Sequence, residues 1–314
     1  MSFSKIFQAV TIGAMTFAAT HAAMAAESKP PLQPGAVTGA PAGALPPPGL
    51  YLNVDSYLNS GKVENGNGQD TGIRLSGSGV SAAFLYVPGW KILNANYGMA
   101  LVLPFTHGTF DGDRVGLPTQ TNTGFSSTII EPEILSWALG GGNFISEKIG
   151  IYIPDGRYVY VQKGDSYATS SNTVSNNYWT IEPGLAYSYL RDGWNFTLNN
   201  NIDFNFTNPK THYHTGDIYY LDWTIAHRFG SYTFGLIGNY TKQLTRDTKF
   251  GQPVMNTGNV GGYGDEYMHA SIGPMLGYTL GRATLTIRYL YGFAGQNGGN
   301  QSFFHVGVSM PLFQ

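Results

Sequence analysis

The stretch NFTLNNNIDFNF, residues 195–206, places Asn195, Thr197, Asn199, Asn201, Asp203 and Asn205 at alternate positions. Between them stand Phe196, Leu198, Ile202, Phe204 and Phe206, and only Asn200 breaks the order. A period of two describes an extended strand with one polar and one apolar face. Other segments repeat it. In 267–280, Met268, Ala270, Ile272, Pro274, Leu276, Tyr278 and Leu280 share one face, and Tyr267, His269, Ser271, Gly273, Met275, Gly277 and Thr279 share the other. In 283–291, Ala283, Leu285, Ile287, Tyr289 and Tyr291 oppose Thr284, Thr286 and Arg288. In 219–229, Tyr219, Leu221, Trp223 and Ile225 oppose Asp222, Thr224 and Arg228.

Composition narrows what such strands build. Charged residues make up 11% of the 314-residue chain, against about 25% in soluble domains. Gly is abundant at 42, and aromatics reach 14%. Beyond the N-terminus no apolar run is long enough for a helical span, about 18 residues. Hydrophobicity split by alternation is the signature of a transmembrane β-barrel. The absence of cysteine excludes disulfide scaffolds and thiolate metal sites. A net charge of −2 gives no basic face for nucleic acid.

Residues 1–25 read as a secretory signal: Lys5, the apolar run from Ile6 to Thr20, then Ala23-Met24-Ala25 as a cleavage site. Residues 26–48 hold Pro30, Pro31, Pro34, Pro41, Pro46, Pro47 and Pro48. They form a Pro-rich segment assigned to the periplasm, with a position tucked into a pore as the alternative. Residues 49–314 are the barrel.

Twelve strands are expected, near 49–59, 72–86, 95–106, 125–138, 143–153, 176–190, 194–206, 218–229, 231–243, 266–280, 282–292 and 300–313. Tight connections at 140–143, 191–193, 230–231 and 281–282 alternate with long ones at 107–124, 154–175, 207–217 and 244–265. Barrels of the outer membrane sort their turns this way, with both termini in the periplasm. The fold class is all-β, a twelve-stranded antiparallel transmembrane barrel. Aromatics near strand ends, including Trp90, Trp137, Trp179 and Trp194, suit interfacial girdles. Phe313 near the C-terminus suits an aromatic signal read by the barrel-assembly machinery.

The register gives an inward, lumen-lining set: Asp55, Arg74, Glu131, Glu133, Glu182, Asp203, Asp222, Arg228, His269 and Arg288. Such charges pair to fill the interior or tune what crosses it. His212 and His214, with Asp217, form H-x-H-x-x-D; the two His could bind a divalent metal, but no third ligand stands out, so the three read as a polar loop edge. His269-Ala270-Ser271 places a base beside a hydroxyl, as in a barrel that hydrolyses lipid. Both side chains point into the lumen in this register, away from lipid. No catalytic residue, metal or cofactor is assigned.

Several motifs resemble those of the outer-membrane family named for the meta-pathway of phenol degradation, described as transporters or porins. They are EPEILSW (131–137), IPDGRY (153–158), NNYWTIEP (176–183), THYHTGDIYYLD (211–222), GNYTKQLTRD (238–247) and SIGPMLGY (271–278). The resemblance implies passive uptake of small hydrophobic or aromatic molecules across a Gram-negative outer membrane. Its partners would be the solute, membrane lipid and the assembly machinery, with no nucleic acid. A lipid hydrolase using His269 and Ser271, and a closed structural barrel, are the alternatives.

Overall fold

A computed structural model describes residues 30–164, 166–170, 173–254 and 266–313. The signal at 1–25 and residues 26–29 lie outside the described residues. Twelve long strands form the wall: β1 (Gly49–Glu64), β2 (Asp70–Val87), β3 (Ala95–Asp111), β4 (Thr128–Gly140), β5 (Asn143–Ile153), β6 (Thr180–Arg191), β7 (Trp194–Asn205), β8 (Ile218–Phe229), β9 (Tyr232–Gln243), β10 (Met268–Leu280), β11 (Ala283–Gln296) and β12 (Gly298–Phe313). Each pairs antiparallel with its chain neighbours, and β1 pairs with β12 from Leu50–Phe313 to Glu64–Gly298. The sheet is therefore closed, which leaves no strand edge unpaired in hydrocarbon, where each lost backbone bond costs several kcal/mol.

The opening stretch behaves as its alternation demands. Thr197, Asn199, Asn201, Asp203 and Asn205 are buried, whereas Phe196, Leu198, Phe204 and Phe206 are exposed on the outer face. Asn200, the exception, pairs with Leu221 on the outer face. Its Oδ1 accepts the Tyr219 hydroxyl at 2.7 Å and its Nδ2 donates to the Leu185 carbonyl at 3.3 Å. Neighbouring strands thus satisfy the one amide that faces outward.

Both described ends of the wall lie at one rim, with the tight turns at 141–142, 192–193, 230–231 and 281–282. Exposed Trp90, Trp194, Phe229, Tyr232 and Phe313 gather there. Trp194 stacks on Phe196 at 4.9 Å, and Tyr232 meets Tyr278 at 4.9 Å. At the opposite rim two further connections are short. Asn65–Gln69 joins β1 to β2, and Asn297 alone joins β11 to β12. β1 runs to Glu64 against an expected end at 59, and β11 to Gln296 against 292, so wall extends there where loop was expected.

The Pro-rich segment departs further from the sequence reading. Its expected periplasmic position is corrected for residues 33–45, which run inside the barrel. The Val37 N–H donates to Asp222 Oδ2 at 3.0 Å, Gly39 N–H to Thr224 Oγ1 at 2.8 Å, and Gly43 N–H to Ser188 Oγ at 2.9 Å. Ser136 donates to the Gly43 carbonyl at 2.8 Å and Ser146 to the Ala42 carbonyl at 2.7 Å. The segment has no strand partner of its own, so inward hydroxyls, a carboxylate and a guanidinium satisfy its backbone.

Candidate functional site: the plugged lumen

Three groups of side chains fill the described lumen. The first is an ion cluster at the seam where the first and last strands meet. Arg288 Nη2 lies 2.7 Å from Asp55 Oδ1, and His305 Nδ1 lies 2.7 Å from Asp55 Oδ2. Arg288 Nη1 donates to the carbonyls of Thr38, at 2.5 Å, and Ala36, at 3.3 Å. One guanidinium therefore pairs with a wall carboxylate and grips the plug, using the spread of donors that Arg provides.

The second group lies on β4–β8. Lys148 Nζ bridges Glu131 Oε1 at 2.6 Å and Glu182 Oε1 at 2.8 Å. Tyr152 donates to Glu182 Oε2, and Tyr220 to Asp203 Oδ2, each at 2.9 Å. Glu182 and Asp203 are fully buried. Charges at this depth persist only with partners, which Lys148 and the two phenols supply.

The third group is apolar and aromatic. Ile237, Met275, Leu290 and Phe303 pack together with Tyr57 against them. Gly35 and Gly39 of the plug lie on this group. A Cβ on Gly35 would stand 2.4 Å from Leu290 Cδ1, and one on Gly39 would stand 2.9 Å from Met275 Sδ. Both glycines have positive φ, 79° and 87°. Close approach and left-handed backbone together require glycine at both places.

The structure brings Asp55, Glu131, Glu182, Asp203, Asp222, His269 and Arg288 inside the barrel. Three of the expected inward residues are corrected. Glu133 stands opposite Ile149, which is 42% exposed on the outer face. A register shift between Ile130 and Glu133 flips β4 at that point, because one extra residue exchanges the faces of a strand. Arg74 is on the face opposite buried Ile73 and makes a bidentate pair with Asp70, at 2.7 and 2.9 Å, on the outer rim. Arg228 keeps the inward parity of Asp222 and Thr224, but it lies exposed at the tight-turn end of β8.

Sequence reasoning missed Lys148, Tyr152, His305 and the plug contacts. Lys148 had a readable signal, since it alternates with Ser146, Gly150 and Tyr152 against Ile145, Glu147, Ile149 and Ile151. The two sequence-level chemical candidates resolve into structure. His269 Nε2 lies 3.0 Å from the Gln301 carbonyl and Nδ1 lies 3.5 Å from Asn239 Oδ1, so its ring contacts carry it away from Ser271. His212 packs on Phe250 at 4.8 Å, and Asp217 N–H donates to Thr245 Oγ1 at 2.8 Å. Among the described residues no set of three or more His, Asp or Glu side chains is arranged to hold a metal.

The Y-H-T-G-D motif forms a joint between outer loops. Asp247 accepts the Gly216 N–H at 2.8 Å, Gln243 Nε2 at 2.7 Å and the Tyr213 hydroxyl. These contacts tie 213–216 to 243–247.

With this geometry in place, the family comparison is decisive. The model of the family described as "Putative MetA-pathway of phenol degradation" matches residues 60–304. The chain belongs to that family. Among curated proteins none matches the chain. It is similar in fold to an outer-membrane channel from Pseudomonas putida F1, with 14% identity, a TM-score of 0.69, and 89% of this chain and 99% of that chain covered. Looser likenesses include the translocator domain of the autotransporter NalP from Neisseria meningitidis, at 11% identity and TM-score 0.46, covering 84% of this chain and 88% of that one. Another is the CymD monoaromatic hydrocarbon channel, at 8% identity and TM-score 0.41, covering 85% and 89%. The first shows the twelve-stranded outer-membrane barrel fold in this member of the phenol-degradation family.

Proposed function

We propose that this family member is an outer-membrane channel for passive uptake of small hydrophobic or aromatic solutes, closed at rest by residues 33–45. The observation that carries the reading is the plug itself. It is held in the lumen noncovalently, through hydrogen bonds to Asp222, Thr224, Ser188, Ser136, Ser146 and Arg288. Each bond to a hydroxyl contributes about 1 kcal/mol net, and those to Asp222 and Arg288 about 1.5–3 kcal/mol. Side chains integral to the wall would close the tube more firmly, so a detachable filler suits intermittent passage. The family description supports aromatic compounds as the solute class. The outer face of Phe, Leu, Ile and Val meets lipid, and the assembly machinery inserts the barrel.

The transport is driven by the solute gradient, and none of the inward groups is assigned a catalytic role. His269 and Ser271 sit inside the tube, out of reach of lipid ester bonds in the surrounding bilayer. A closed structural barrel is the second reading, favoured by the same filled lumen.

Uptake of radiolabelled phenol or toluene by a Gram-negative host separates the two. Cells carrying the gene should accumulate label several-fold faster than cells lacking it, at solute concentrations where the outer membrane limits entry. Equal rates in both strains would leave the structural barrel.

A further inference from the structure

Barrel interiors that carry water are polar, and most of this one follows the rule with Ser, Thr, Asn and Asp. Two stretches of its inner wall do not: one around Val63 and Ile73, and one around Phe303. Tyr57, Phe303, His269 and His305 form a ring cluster facing the lumen. Tyr57 lies 6.0 Å from Phe303 at an interplanar angle of 65°, and 5.7 Å from His305. His269 meets Phe303 edge-on at 6.5 Å and 88°, and Phe303 lies 6.0 Å from His305. Separations and tilts of this kind are those that rings prefer to parallel sandwiches. Leu290 and Met275 continue the apolar surface from Phe303.

The ring nitrogens of both histidines are already engaged. His269 meets Gln301 O and Asn239, and His305 is bound to Asp55 and lies 3.4 Å from Gln33 Nε2. Main chain lies against the adjoining apolar surface at two points. Gly35 rests on Leu290 and Gly39 on Met275, without side chains at either contact. Backbone is a poor cover for an apolar wall, because its own N–H and C=O groups need partners. Those near Gly39 are drawn sideways to Thr224, Asp222 and Arg288. An uncharged aromatic ring carries no such demand and would gain both area burial and ring contacts there.

We infer that the surface formed by Tyr57, Phe303, His269, His305, Leu290 and Met275 is a binding site for a single uncharged aromatic ring, and that the ring and the Gly35–Gly39 segment compete for it. The inference rests on the channel reading and names the subsite and ligand class within it. Occupation of the site lifts the plug segment off Leu290 and Met275, so the solute itself opens the path. The order of events is displacement, then passage, with no covalent step.

The chain has no cysteine, so Ala36→Cys supplies a unique probe in the full-length protein. Labelling by a water-soluble maleimide is followed in outer-membrane vesicles, with toluene or with equimolar xylose. Toluene should accelerate labelling at least fivefold, and xylose should leave it unchanged. Phe303→Ser and, separately, Tyr57→Ala should abolish the acceleration, while Asn199→Ala on the opposite polar wall retains it. Heat-modifiable migration on gels confirms that each variant is a folded barrel. Crystals soaked in bromobenzene give an independent readout, a bromine anomalous peak beside Phe303. Labelling that ignores toluene, acceleration that survives both ring substitutions, or bromine located only elsewhere would each overturn the site. Intact toluene uptake by cells in those cases keeps the channel reading, whereas loss of uptake from the wild-type strain removes both.

Discussion

Single positions in this molecule are decided by which side of a closed wall they face. Leu198 lies on the lipid side of mid-β7 at 48% exposure, one residue from buried Asn199. Leu198→Arg should therefore lower the unfolding free energy by about 2–4 kcal/mol, read from urea titrations of vesicle-inserted protein. Lys148→Met should lower it by about 3–5 kcal/mol, because Glu131 and Glu182 would be left without their cation. Adding Glu182→Gln should recover much of that loss, and no recovery would show that Lys148 acts through packing instead. Gly39→Val should dislodge the plug, since the new side chain meets Met275 and the backbone φ of 87° disfavours it. Vesicles carrying this variant should swell in arabinose several-fold faster than those carrying the wild type. Alternation alone predicted the facing of Asp203, Asp222 and Arg288, because a strand has two sides and lipid rejects charge. It mispredicted Glu133, because nothing in EPEILSW announces that the bulge lies before Glu133 and not after it.

The elements were legible to the degree that they are periodic. β7, β8 and β10 begin and end within about two residues of their expected limits, since both lipid and lumen enforce their pattern. The upper parts of β1 and β11 were not legible. There the wall continues past the expected limits, and polar residues such as Ser60, Lys62 and Gln296 occupy strand without apolar alternation. Arg74 was misplaced for the same reason, as a rim residue read with the rules of a membrane span. The outer loops 207–217 and 244–254 look irregular in sequence, yet Asp247 joins them through Gly216, Gln243 and Tyr213. Asp247→Ala should raise the rate of limited proteolysis in these loops by about tenfold, with the barrel still heat-modifiable. Unchanged proteolysis would show that the joint is redundant.

At the scale of the whole molecule, sequence revealed the tube and left its contents open. Residues 33–45 carry no alternation, and their order comes from contacts with side chains 91–272 positions away. Composition marks such a segment as extended but says nothing about where it lies. Deleting residues 30–45 should accelerate arabinose-driven swelling and also lower the midpoint of urea unfolding, because Asp222 and Arg288 lose plug partners in the interior. A faster-swelling barrel of unchanged midpoint would mean that water replaces those partners freely. The grip on the plug has a bearing on assembly. Asp55, Arg288 and His305 belong to β1, β11 and β12, so their cluster cannot exist until the first strand has found the last. Before that moment the guanidinium that meets the carbonyls of Ala36 and Thr38 lacks its wall carboxylate. Sealing the cylinder therefore also completes the grip on its stopper, and a chain that fails to zip shut holds that stopper less firmly.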